Sequence, residues 1–109
     1  MYKTLSAREF VKTHFAETIR LSVVAAHCHM SESEFSRVFK KEHGHTFYEH
    51  LLKFRIGRAC ELLADASVQV KSVAFAVGFN DLSYFARTFR RYTGVTPSTY
   101  QQARAANGL

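Results

Sequence analysis

Displaced by 50 positions, the chain falls on itself. Phe35-Ser36-Arg37-Val38-Phe39-Lys40-Lys41 lies over Phe85-Ala86-Arg87-Thr88-Phe89-Arg90-Arg91, and the match runs on through Gly44/Gly94 and Thr46/Thr96. Upstream the better displacement is 49, which pairs Leu21 with Val70, Val24 with Val73, Ala25 with Ala74, Cys28 with Val77 and Met30 with Phe79. The one-residue change of register falls between Met30 and Phe35, where a turn or a helix start absorbs it without rotating an apolar face. The 109 residues therefore hold two copies of one supersecondary unit.

Each copy reads as a short helix, a turn, a longer helix and a second turn. Val70, Val73, Ala74 and Val77 follow the i, i+3, i+4, i+7 rule of an amphipathic helix. Gly78 supplies a positive-φ position to stop it, Asn80 or Asp81 caps the next helix, and Phe85, Phe89 and Tyr92 form that helix's apolar stripe up to Gly94. Thr96-Pro97 opens a last short helix with Thr as N-cap and Pro in the first turn. In the first copy, Ser31-x-x-Glu34 and Thr46-x-x-Glu49 are capping-box patterns. Leu51, Leu52, Ile56, Ala59, Leu62 and Leu63 keep helical spacing with no turn signal from Phe47 to about Asp65, which predicts one long helix between the copies. Gly57 inside it costs about 1 kcal/mol relative to Ala and points to a close contact there. Phe10, Val11 and Phe15 predict a further helix from near Ser6. No strand candidate remains. The expected fold is all-α, about seven helices in one domain over 1–109: a first helix-turn-helix unit at about 6–45, a linker helix at about 47–65, and a second unit at about 69–104.

On a helical wheel the longer helix of each copy has two unlike faces. Phe35, Val38 and Phe39 oppose Ser33, Ser36, Arg37, Lys40 and Lys41; Phe85 and Phe89 oppose Ser83, Ala86, Arg87, Arg90 and Arg91. Small polar side chains at a helix start let its backbone approach base edges, and an Arg one turn later reaches guanine O6 and N7 with two hydrogen bonds. Basic residues further along, Lys40, Lys41, Arg90 and Arg91, suit the phosphates beside the groove. Six of the fifteen Lys and Arg residues lie on these two faces, and their recurrence at one spacing favours double-stranded DNA as the ligand. A linker of roughly 19 residues is about 28 Å long, against about 34 Å between successive major grooves on one side of B-DNA. One chain can thus address two grooves, at a site that is asymmetric rather than palindromic, and the shortfall favours a bent duplex.

Composition agrees and excludes alternatives. Fifteen Lys and Arg against nine Asp and Glu leave +6, with +4 of it carried by residues 66–109, a long-range attraction for polyanions. Cys28 and Cys60 lie apart in apolar, helix-like surroundings, which suits buried, reduced thiols in a cytoplasmic protein. No apolar run is long enough to span a bilayer, and the N-terminus does not resemble a signal peptide.

At this point the residues suggest a family. Val73-Ala74-Phe75-Ala76-Val77-Gly78-Phe79-Asn80-Asp81, followed by Ser83-Tyr84-Phe85-Ala86-Arg87-Thr88-Phe89-Arg90-Arg91-Tyr92-Thr93-Gly94-Val95-Thr96-Pro97-Ser98-Thr99-Tyr100, resembles the AraC/XylS signature, and the resemblance covers about Leu21 to Tyr100. It implies a bipartite bacterial domain that binds promoters, usually activates transcription, and often touches RNA polymerase. By position it implies base readout by Ser33, Ser36 and Arg37, then by Ser83, Tyr84 and Arg87. Many members carry a separate effector-sensing or dimerisation domain; none fits within these residues, so the chain reads as a small single-domain regulator or as a fragment of a longer one. Two departures stand out. His29 occupies the turn position filled by Gly78 in the second copy, which predicts a first unit less regular than the second, and Ser33 and Ser36 are short enough that base contact there would pass through water or contribute little.

Plainer readings compete at several positions. Ala26-His27-Cys28-His29-Met30, with His43, His45 and His50 downstream, hints at a metal site, but Cys28 falls where the repeat wants a core residue and structural zinc needs four ligands; neither a metal nor a cofactor is expected. Phe35, Phe39, Phe85 and Phe89 are core by their spacing, and Tyr84 suits core and DNA face equally. Glu34 and Glu42 are expected as a cap and a partner for nearby basic side chains. No nucleophile with a base, acid cluster or glycine-rich phosphate loop suggests an enzyme. The rival that remains is a helical protein-interaction module without sequence-specific DNA binding.

Overall fold

The computed structural model describes residues 2–107, without the Asn107 side chain; residues 1, 108 and 109 of the expected 1–109 domain lie outside it. The described residues form seven helices and no strand: α1 Leu5–His14, α2 Leu21–His27, α3 Glu32–His43, α4 Phe47–Leu62, α5 Val70–Ala76, α6 Leu82–Thr93 and α7 Pro97–Asn107. They gather into two compact units, Met1–Leu52 and Lys53–Leu109, divided within α4.

The first unit closes over Ala7 and Val11 of α1, Val24 and Ala25 of α2, Phe35 and Phe39 of α3, and Phe47, Leu51 and Leu52 of α4, all buried. Its centre is a triangle of rings: Phe35–Phe39, Phe35–Phe47 and Phe39–Phe47 have centroids 5.6, 5.5 and 5.6 Å apart. Burying one Phe stabilises by about 1.5–3 kcal/mol, so this triangle is the main reason α3 has one possible inward face. The second unit repeats the scheme with Val73, Ala74 and Val77, Phe79, Phe85 and Phe89, against Ile56, Ala59 and Leu63. From α7, Tyr100 packs on Phe89 at 5.5 Å, and the Gln101 side-chain amide donates to the carbonyls of Asp65 and Val68 at 3.1 and 2.8 Å.

Two differences from the sequence reading concern α4. It ends at Leu62 rather than about Asp65. There the backbone turns to shorter-range bonds, Ala64 N–H to Glu61 O and Asp65 N–H to Leu62 O at 3.3 Å each. The Asp65 carboxylate accepts from the Ser67 N–H and hydroxyl at 2.9 and 2.6 Å, a local turn that competes with helix. The 16 residues of α4 make a rod of about 24 Å. Nor does Gly57 mark a close contact: it is exposed, and a Cβ there would meet nothing within 4 Å beyond its own helix.

Candidate nucleic-acid interface

The longer helix of each unit is held at both ends by the same devices. The Ser31 hydroxyl accepts from the Glu34 N–H at 3.2 Å, capping α3. The Asp81 carboxylate accepts from the Ser83 and Tyr84 N–H groups at 2.8 and 3.2 Å, capping α6. An anionic cap also complements the positive end of the helix dipole. At the far ends Gly44 and Gly94 are left-handed, and their N–H groups bond to Lys40 O and Arg90 O at 2.8 Å each.

The preceding turns match as well. Met30 N–H bonds to Ala25 O, and Phe79 N–H to Ala74 O, at 3.0 Å in both units. The residue before each is left-handed: Gly78 has φ 103° and His29 has φ 57°. His29 thus adopts the conformation the repeat demands of it, one that a non-glycine residue enters at a cost of about 1–2 kcal/mol.

With ends and turns fixed, rotation about each axis is set by the buried Phe pairs, and the opposite faces are turned outward. Ser33, Ser36, Arg37, Lys40 and Lys41 of α3 are all exposed, as are Ser83, Arg87, Arg90 and Arg91 of α6. Phe35, Phe39, Phe85 and Phe89 are fully buried. Tyr84 divides between the two settings. It is half-buried, its ring lies 5.8 Å from Phe79, and the Arg87 guanidinium sits over it at 5.9 Å. Arg91 likewise stands over Tyr92 at 5.6 Å. Arg37 and Lys41 border a cleft of about 500 Å³ shared with Tyr2, Lys3, Glu34, Val38 and Glu42. Arg90 borders one of about 230 Å³ with Gly94, Val95, Thr96 and Thr99.

One part of the first unit is absent from the sequence reading. Glu42, expected as a partner for a nearby basic side chain, turns its carboxylate to the backbone instead: it accepts from the Lys3 N–H at 2.7 Å and the Thr4 N–H at 3.0 Å. It also accepts from the Thr4 hydroxyl at 2.6 Å, and that hydroxyl lies 2.7 Å from His43 Nε2. Since the single Thr4 proton points at Glu42, His43 Nε2–H is the donor to Thr4 Oγ1. The Thr4 hydrogen bond, first among the causes, holds Glu42 below the usual carboxylate range. Burial, with Arg8 nearby, holds His43 below the usual imidazole range. Thr4 beside a histidine is no nucleophile: it is fully buried, and its proton is committed to a carboxylate.

Cys28 is a free thiol and buried, 3.3 Å from the Ser6 hydroxyl, as its place in the repeat requires, whereas Cys60, also free, is half-buried rather than buried. Among the described residues no group of three or more His, Cys, Asp or Glu converges on a metal position. No helix among them is long and apolar enough to cross a membrane.

A family model described as a helix-turn-helix domain matches residues 24–103. The regulatory protein PocR of Salmonella typhimurium is 35% identical over 100 residues, covering 92% of this chain and 33% of that protein. The MmsAB operon regulatory protein of Pseudomonas aeruginosa is 34% identical over 93 residues, covering 85% and 30%. The chain spans about a third of the length of these curated relatives. Among solved structures, the DNA-binding domain of AdpA, a global transcriptional factor crystallised with a target DNA, superposes with a TM-score of 0.89 at 26% identity, covering 98% of this chain and 96% of that one.

Proposed function

The chain belongs to the AraC/XylS family of transcription regulators as a sequence-specific DNA-binding domain, and from that premise we propose that α3 and α6 enter successive major grooves of a single promoter site. The observation that carries this reading is the double occurrence of one device: a capped helix whose Phe pair is fully buried and whose opposite stripe exposes serine, arginine and paired basic residues, with Ala86 of α6 half-buried among them. Arg37 and Arg87 are the side chains able to make two hydrogen bonds to guanine, with Ser33, Ser36, Ser83 and Tyr84 beside them. Lys40, Lys41, Arg90 and Arg91 meet phosphates and set register rather than sequence.

The α4 rod, about 24 Å by its residue count, is shorter than the groove repeat of about 34 Å, which supports a duplex drawn toward the protein. The domain acts by binding, without catalysis, in the bacterial cytoplasm on the chromosome. Activation through contact with RNA polymerase, under control of an effector-sensing or dimerisation domain elsewhere, completes the proposal.

Selection from random duplexes, followed by sequencing and repeated at rising salt, tests it. A DNA reader enriches one asymmetric site and keeps its preference as salt removes non-specific binding. A protein-interaction module would enrich none, and that result would refute the reading.

A further inference from the structure

Tyr84 touches two groups of unlike role. One is Phe79, buried in the second unit's core, with ring centroids 5.8 Å apart. The other is the Arg87 guanidinium of the exposed stripe, over the Tyr84 ring at 5.9 Å from its centroid. Phe79 in turn carries a second cation, the guanidinium of buried Arg55 from α4, at 5.9 Å. The backbone beneath Tyr84 is fixed too, because its N–H is one of the two bound by the Asp81 cap. A flexible arginine on the DNA-facing stripe thus rests on a ring that is itself braced against the core.

We propose that Tyr84 is a positioning residue: its ring face holds the Arg87 guanidinium in place for base readout, and its hydroxyl does not read a base. This rests on the DNA-reading function proposed above. An arginine on a free stem loses rotamer freedom when it engages a guanine, and a stacked guanidinium has surrendered part of that freedom beforehand.

Among the described residues the first unit has no ring at the matched position. Under the same displacements Phe79, Tyr84 and Arg87 correspond to Met30, Glu34 and Arg37. Glu34 has no ring to offer, and it shares the cleft that Arg37 borders. The second unit therefore discriminates its base more sharply than the first.

The test is a set of variants of the full chain on the selected duplex and on the same duplex with the Arg87-dependent base pair replaced. Tyr84→Leu keeps Phe79 covered but removes the π face; it is expected to weaken binding to the selected duplex about two- to five-fold, the range of an exposed cation–π contact, and to narrow discrimination at that base pair. Tyr84→Phe, which keeps the face, is expected to restore both. In an Arg87→Ala background, Tyr84→Leu is expected to cost nothing further. Thermal melting of each variant shows whether it is folded, and Tyr84→Phe against wild type serves as the comparison if Tyr84→Leu is not. The inference fails if Tyr84→Phe loses discrimination, since the hydroxyl would then be the reader. It fails equally if the Tyr84→Leu loss persists without Arg87. Absence of any preferred duplex would overturn the DNA-reading function itself, whereas a preferred duplex bound alike by all Tyr84 variants would overturn only this inference.

Discussion

A histidine at φ 57° and a carboxylate that binds backbone rather than a neighbouring base illustrate what single positions do and do not disclose. His29 was only half legible: its departure from glycine suggests a less regular first unit, yet its turn is bonded as in the second copy, and His29 takes the left-handed conformation that Gly78 takes there. Glu42 was not legible, since its partners Lys3 and Thr4 lie 39 and 38 residues away and neither belongs to the repeat. The link from Thr4 to Glu42 and His43 carries a prediction. Glu42 titrates in the folded chain below its ordinary value of 4.5, so its contribution is present above 4.5 and is lost as pH falls through the folded value. His43 also titrates below its ordinary 6.5; the unfolded chain takes up that proton first, so stability declines as pH falls below 6.5. Both act in one direction, and His43 acts first. Melting temperature should therefore begin to drop just below pH 6.5. His43→Gln, whose amide can still donate to Thr4, should remove that first decline, and an unchanged pH profile in the variant would assign it to another group.

Helices were the most readable level. Seven were expected and seven are found among the described residues, because apolar periodicity, capping pairs and glycine stops agree at almost every boundary. The Thr46–Glu49 capping box forms in both directions: Thr46 N–H donates to the Glu49 carboxylate at 2.9 Å, and Glu49 N–H to the Thr46 hydroxyl at 3.1 Å. The errors arise where one residue type supports two structures. Asp65 fits a helix end by pattern, yet its carboxylate does better accepting from Ser67. Gly57 read as a packing requirement because glycine inside a helix needs a reason, and no packing reason is found. Gly57→Ala is accordingly expected to stabilise the chain by about 0.4–1 kcal/mol, visible as a raised denaturant midpoint with unchanged slope. A lower midpoint would mean that the Gly57 surface packs against something after all. Tyr84 marks the limit of pattern reading, since a wheel assigns a face but cannot show a ring leaning on Phe79 with an arginine across it.

For the molecule as a whole, the repeat disclosed two units, and each has its own ring cluster and its own exposed basic stripe. The two units share α4: Leu51 and Leu52 are buried in the first, and Ile56 and Ala59 in the second. Charge alone, at +6, would have suited an anionic membrane or an acidic protein equally well. The stripes are more specific than the sum, because they pair guanine-capable arginines with short side chains on a face that rotation of the helix cannot hide. The most direct measurement of the central claim is to repeat the duplex selection with Arg37→Ala and with Arg87→Ala separately. Each variant should lose about 1–3 kcal/mol on the preferred site and relax the sequence at its own position, the two positions lying about one helical turn apart in an asymmetric site. Uniform weakening on every duplex, or relaxation of the same base pair by both variants, would contradict the account.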